Sequence, residues 1–293
     1  MTLRILGSTK LLGVFGYPIE HSLSPLMHNA ALEELKLNYC YIPFKVEPKK
    51  LGGAVGAIRA LNIRGVNVTI PHKVAVMEYL DEISLEAEII GAVNTICNDE
   101  GILKGYNTDG KGFVRSLKED ACKDPSGKKM LLIGAGGAAK GVAVQLGLEG
   151  VGQLTIANRT PEKAENLARL VNKAVDENVA VPSSLGSKDF IRAMNEADII
   201  INATPIGMYP YIDDSPLQDE NLINSETLVC DLIYNPLETV LLRTAKTRGA
   251  RTLNGIGMLA YQGAIAFNIW TGALPPVHVM KKTLVNALTP IKY

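Results

Sequence analysis

The sequence predicts an α/β fold in two domains, and three observations carry that prediction. The chain has 293 residues, about twice the usual domain length. Short β-like runs alternate with helical patterns in both halves. A polar, turn-prone stretch, Cys122-Lys123-Asp124-Pro125-Ser126-Gly127, separates the halves just before the apolar run Met130 to Ile133.

In the first half, Leu11 to Phe15 reads as strand, Pro25 to Leu35 as helix, Asn38 to Val46 as strand, Leu51 to Leu61 as helix and Val66 to Ile70 as strand. Alternation of this kind implies parallel strands, because parallel neighbours need a long crossover to return to the same sheet edge. Gly91 to Tyr106 then holds two β-like pieces around Asn98-Asp99-Glu100-Gly101, whose turn residues suit a hairpin.

The second half starts at Lys128 with strand Lys129 to Ile133, helix Ala138 to Gly147, strand Leu154 to Asn158 and helix Pro161 to Asn172. Strands Ala197 to Asn202 and Thr227 to Leu232 follow, which makes this half doubly wound. Two helical segments, Gly257 to Thr271 and His278 to Leu288, have no strand left to pair with. The expected organisation is therefore an N-terminal α/β domain over 1–123, a second domain over 124–256, and helices over 257–293 that pack back on the first.

Composition narrows the function classes. Hydrophobic content of 47% and charged content of 20% are those of a folded globular protein. The 30 basic and 30 acidic residues cancel, with no basic run, which argues against a nucleic-acid partner. Cys40, Cys97, Cys122 and Cys230 stand singly, so neither a metal site nor a disulfide framework is expected. With no signal-peptide pattern and no apolar run of membrane-spanning length, a cytoplasmic protein without membrane association is expected.

The first apolar strand of the second half runs into Gly134-Ala135-Gly136-Gly137-Ala138-Ala139, which fits the G-x-G-x-x-G/A fingerprint of a Rossmann-like dinucleotide site. Gly134 permits the tight turn, Gly136 lets the backbone approach a pyrophosphate, and Ala139 lets helix and strand pack closely. Gly137 and Ala138 open the helix whose free N–H groups favour an anion. Glycine-rich turns also join strands to helices for purely structural reasons. At the end of the next strand, where this fold places its ribose-binding residue, stands Asn158-Arg159-Thr160. An acid there would accept from a ribose 2′-hydroxyl; Arg159 instead suits a 2′-phosphate, which favours NADP over NAD. A solvated turn arginine is the bland alternative.

Several polar positions in the first half suit a ligand site. Asn67 and Thr69 share one face of a strand, and Lys73 follows at the strand's carboxyl end, where open α/β sheets bind ligands. Ser22 and Ser24 precede the helix begun by Pro25 and offer hydroxyl donors for a carboxylate, or Ser24 simply caps that helix. Asn94 and Asp109 stand beside glycines in Gly91 to Thr95 and Gly105 to Gly110. Locally, Lys73 reads equally as a surface lysine and Asp109 as a helix cap.

Together these segments closely resemble the shikimate dehydrogenase family. The match rests on Gly16-Tyr17-Pro18, His21-Ser22-Leu23-Ser24-Pro25, His28-Asn29, Asn67 to Lys73, Gly91 to Thr95, Asn107 to Gly110, Gly134 to Ala139, Asn158 to Thr160, Asn202 to Met208, Asp231 to Thr239 and Asn254 to Gln262. It runs from Gly13 almost to the C-terminus, and no family position departs. The resemblance implies reversible reduction of 3-dehydroshikimate to shikimate with NADPH, in aromatic amino-acid biosynthesis, by a monomer or homodimer. It implies that Lys73 and Asp109 are catalytic. Ser22, Ser24 and Thr69 would take the substrate carboxylate, while Asn67, Asn94, Asp109 and Gln262 hold ring hydroxyls and Tyr234 reaches the substrate from the cofactor domain, with the two domains facing a cleft. Thr204, Met208, Gly255 and Met258 would line the nicotinamide side. Rivals are a quinate/shikimate dehydrogenase using NAD, a methylene-tetrahydrofolate dehydrogenase of comparable layout, and a non-catalytic dinucleotide-sensing module. Arg159 argues against the first. The paired serines with the Asn67 to Lys73 strand end argue against the second, and the full polar set against the third.

Overall fold

The computed structural model describes residues 5–217, 219 and 222–289. The chain forms two compact units, one made of the residues up to Thr108 together with those from Ala260 onward, the other of Asp109–Leu259.

The first unit is built on a six-stranded sheet in the order β2-β1-β3-β5-β6-β4. Strand β1 (Lys10–Gly16) pairs in parallel with β2 (Tyr39–Lys45) and β3 (Gly65–Val68), and helices α1 (Ser24–Glu34) and α2 (Leu51–Ala60) make the crossovers. The sheet is not parallel throughout. After β4 (Glu82–Ile83) and α3 (Leu85–Ile90), β5 (Thr95–Asp99) and β6 (Ile102–Tyr106) form an antiparallel hairpin, and β5 lies antiparallel to β3. Glu100 and Gly101 join the hairpin with φ of 52° and 95°, the two left-handed residues that a two-residue turn matching strand twist requires. Leu12, Val66, Ile96 and Leu103 are buried in this sheet. Helix α10 (Val277–Leu288) packs on α1.

The second unit opens with α4 (Asp109–Asp120), which packs on α5 (Gly137–Leu148); the polar stretch at 122–127 therefore lies inside this unit. Its sheet has the order β12-β11-β10-β7-β8-β9, every pairing parallel. In chain order, β7 (Lys129–Ile133), β8 (Gln153–Asn158), β9 (Ala180–Ser184), β10 (Ile199–Asn202), β11 (Leu228–Asp231) and β12 (Arg251–Leu253) make the 3-2-1-4-5-6 arrangement of a dinucleotide-binding sheet. Helices α6 (Pro161–Val175), α7 (Lys188–Glu196) and α8 (Val240–Thr247) complete it, and the strands read as apolar runs because both faces are covered. Helix α9 (Ile256–Thr271) starts in this unit and continues in the first.

Candidate active site

In the first unit, Asn67, Asn94 and Gln262, three of the polar positions singled out in the sequence, are linked through Thr95 and Thr108. Asn67, buried near the end of β3, accepts a 2.7 Å hydrogen bond from the Tyr41 hydroxyl at Oδ1 and donates from Nδ2 to the Asn94 carbonyl (3.1 Å) and to Thr95 Oγ1 (3.0 Å). Thr95 Oγ1 donates to Asn94 Oδ1 at 3.0 Å, which also accepts from the Thr108 amide at 2.9 Å. Asn94 Nδ2 donates in turn to Thr108 Oγ1 at 2.9 Å, and that hydroxyl lies 3.4 Å from Gln262 Oε1. Side chains from β3, the β5–β6 hairpin and α9 thus form one hydrogen-bonded chain, and each of its members is buried. Buried polar groups persist at low cost only when paired in this way.

Sequence reasoning quoted Thr95 and Thr108 without giving them a role and passed over Tyr41. The repeated dipeptides Asn94-Thr95 and Asn107-Thr108 were the available signal. Here each threonine hydroxyl accepts from one amide and donates onward.

Lys73 is half-buried in the loop that follows β3, and its carbonyl accepts from Val93 N at 2.8 Å, tying that loop to the segment leading into β5. The strand itself stops at Val68, so Thr69 and Ile70 lie past it, and the segment after Lys73 is a short 3-10 helix over Ala75–Tyr79. The next residue after Thr69, Ile70, is held by a bond from Tyr17 N to its carbonyl, and Thr69 N donates to the Phe15 carbonyl. Both bonds join the β1 and β3 ends.

Helix geometry decides between the two readings of Ser24. Ser24 is the first residue of α1, Leu23 occupies the cap position, and no side-chain cap bond is made. Ser24 therefore does not cap the helix. Its amide accepts no share of the helix ladder and instead donates to Ser22 Oγ at 3.4 Å. Asp109 is the first residue of α4 and buried, directly following Thr108 in the chain.

In the second unit, Gly134 has φ of +116°, and a Cβ there would sit 2.9 Å from the Ala203 carbonyl oxygen. Gly136 is extended and caps α5. Gly136, Gly137 and Ala138 are exposed, while Ala139 is fully buried against the sheet, as close helix–strand packing needs. At the end of β8, the Asn158 side chain donates to the Thr160 carbonyl at 3.0 Å, shaping a turn on which Arg159 and Thr160 are exposed. The carboxyl ends of β10 and β11 are joined by a buried pair: Asn202 Nδ2 donates to Asp231 Oδ1 at 3.1 Å, while Asn202 Oδ1 accepts from the amide and hydroxyl of Thr204. Asp231 also accepts from Ile233 N and Thr239 Oγ1. Burial pushes its carboxyl up to about 6, against the pull of those three donors. Tyr234, three residues on, is half-buried, and burial raises its hydroxyl. Met208 is exposed, whereas Gly255 and Met258 are buried.

Three family models match along the chain: the shikimate dehydrogenase substrate binding domain over residues 14–96, shikimate/quinate 5-dehydrogenase over 116–232, and the shikimate 5-dehydrogenase C-terminal domain over 255–285. A relative from Desulforamulus reducens, named shikimate dehydrogenase (NADP(+)), is 52% identical over 281 residues, covering 96% of either chain. The chain belongs to the shikimate dehydrogenase family. Among solved family structures, a shikimate dehydrogenase in complex with NADP+ superposes with a TM-score of 0.92 at 47% identity, covering 98% of both chains. A shikimate 5-dehydrogenase from Listeria monocytogenes, in complex with shikimate and NAD, gives 0.92 at 42% identity, covering 97% of this chain and 99% of that one. This family member has no helix, among the described residues, long and apolar enough to cross a membrane.

Proposed function

We propose that this chain catalyses the reversible, NADPH-dependent reduction of 3-dehydroshikimate to shikimate. The observation that carries the reading is the buried chain Asn67–Thr95–Asn94–Thr108–Gln262, which fixes the amides the family resemblance assigns to ring hydroxyls. An amide held by neighbours presents its remaining donor or acceptor sites in a fixed direction, which suits a rigid polyhydroxylated ring. Ser22, Ser24 and Thr69 take the carboxylate through hydroxyl donors; Tyr234 adds a further hydroxyl.

Reduction of a ketone builds negative charge on its oxygen, which a cation or proton donor within hydrogen-bond reach relieves. Lys73 fills this role, giving its proton to the forming alkoxide and taking it back from the alcohol in oxidation. Asp109 orients the ammonium and holds a ring hydroxyl. The residues of the second unit fit NADP: Gly134, Gly136, Gly137 and Ala138 open α5 toward an anion, and Arg159, flanked by Asn158 and Thr160, offers a planar fork for the 2′-phosphate. Thr204, Met208, Gly255 and Met258 line the nicotinamide side. Bound there, NADPH supplies the hydride. The enzyme works in the cytoplasm as a monomer or homodimer.

The test is a spectrophotometric assay of the purified protein with shikimate or quinate, each with NADP or NAD. The expected result is turnover of shikimate with NADP well above every other pairing. Absence of turnover with either acid overturns the proposal, and preference for quinate with NAD replaces it with the quinate reading.

A further inference from the structure

The pair His28-Asn29 belongs to the segments that carry the family resemblance, yet neither residue has a part in the chemistry above. Both act on Tyr41. Asn29 clamps the Tyr41 backbone from α1, accepting from its amide and donating to its carbonyl, each at 2.9 Å. The His28 ring stacks on the Tyr41 ring with centroids 4.3 Å apart and planes 9° from parallel. The phenol is fully buried, and its hydroxyl donates to Asn67 Oδ1 at 2.7 Å.

Donor counting fixes the direction of each bond. Asn67 Nδ2 spends its two hydrogens on the Asn94 carbonyl and Thr95 Oγ1, so Oδ1 must face Tyr41 as an acceptor. Tyr41 has one proton and gives it to that oxygen. Asn67 is left with one acceptor lone pair for a ligand.

We propose that Tyr41, clamped by His28 and Asn29, is a positioning residue that sets Asn67 as a hydroxyl acceptor for the cyclic hydroxy acid. The inference rests on the shikimate dehydrogenase reading, which the activity of the parent enzyme tests on its own. Tyr41→Phe tests the inference, because it keeps the ring and its stack while removing only the hydroxyl. The expected result is a rise of about tenfold in KM for shikimate, from the loss of one buried hydrogen bond, with KM for NADP nearly unchanged and a lower thermal midpoint because the Asn67 oxygen loses its donor. Asn29→Ala, which loosens the clamp but leaves the phenol in place, gives the same one-sided rise in smaller measure. A Tyr41→Phe enzyme with an unchanged shikimate KM overturns the assignment. So does one in which the shikimate and NADP KM values rise together.

Discussion

In the second unit, the turn from Gly134 to Ala139 offers a ligand little but backbone: Gly136, Gly137 and Ala138 are exposed, and a Cβ at Gly136 or Gly137 would meet nothing within 4 Å. In the first unit, the platform from Tyr41 to Gln262 consists of buried side chains already bonded to one another. The turn leaves space around exposed backbone, as a phosphate site would need; the platform fixes its amides through one another. Substitutions should therefore act differently in the two. Adding atoms to the glycine turn should impair binding without loosening the fold, whereas removing atoms from the platform should misdirect groups that remain present.

Lys73→Ala should give the largest effect. Removing the proton donor at the carboxyl end of β3 should lower kcat for shikimate oxidation by about 10²–10⁴-fold, with KM for NADP within about twofold of the parent. Near-normal turnover would remove Lys73 from the chemistry. The glycine turn comes next, and its two outer glycines separate binding from folding. Gly136→Ala meets no atom of the protein, so the thermal midpoint should hold while KM for NADP rises by about tenfold or more as the methyl group intrudes on the pyrophosphate path. Gly134→Ala forces an alanine to φ of +116° and presses it on the Ala203 carbonyl. It should cost about 1–3 kcal/mol of stability, read as a lower denaturant midpoint. Equal loss of stability in both variants would erase the distinction between space kept for a ligand and space the backbone itself needs.

Much of this architecture was legible in the sequence because it depends on neighbours in the chain. The β1-α1-β2-α2-β3 run, the hairpin at Glu100-Gly101 and the strand–turn–helix around Gly134 each follow from local period or turn chemistry. Elements without a local signal escaped. Strand β9 contains Pro182 and two serines and lies at a sheet edge, β12 has three residues, and α7 and α8 are short amphipathic helices inside loops. The antiparallel placement of β5 against β3 has no local signal either, since the hairpin could be read in the sequence but not the strand it would return beside. For the site, the residue types were readable but their connections were not. Asn67, Asn94, Thr108 and Gln262 come from distant segments, and only the fold shows that Thr95 and Thr108 join the amides, or that Ser24 is not a cap.

The smallest expected effect concerns a buried ionisable group in each unit, and here the signs are opposite. Burial among Tyr41, Phe267 and Trp270 pushes the His28 imidazole down to about 3 from an ordinary 6.5, the Asn67 side chain opposing in part. Below pH 6.5 the unfolded chain therefore takes a proton that the folded protein refuses, so His28 makes stability fall as pH drops toward 3. Asp231, raised to about 6 from 3.8, does the reverse: between those values the folded protein holds the proton more tightly, and acidification through them stabilises it. Each group contributes at most about 1.4 kcal/mol per pH unit, so between pH 7 and pH 5 the His28 loss is about 2 kcal/mol and the Asp231 gain about 1 kcal/mol. Urea unfolding of the parent, His28→Asn and Asp231→Asn at both pH values separates them. The drop in stability from pH 7 to pH 5 should be smaller than the parent's in His28→Asn and larger in Asp231→Asn. An unchanged drop in His28→Asn would mean that the histidine under Tyr41 is protonated within the fold. The stack that steadies the phenol would then carry a charge.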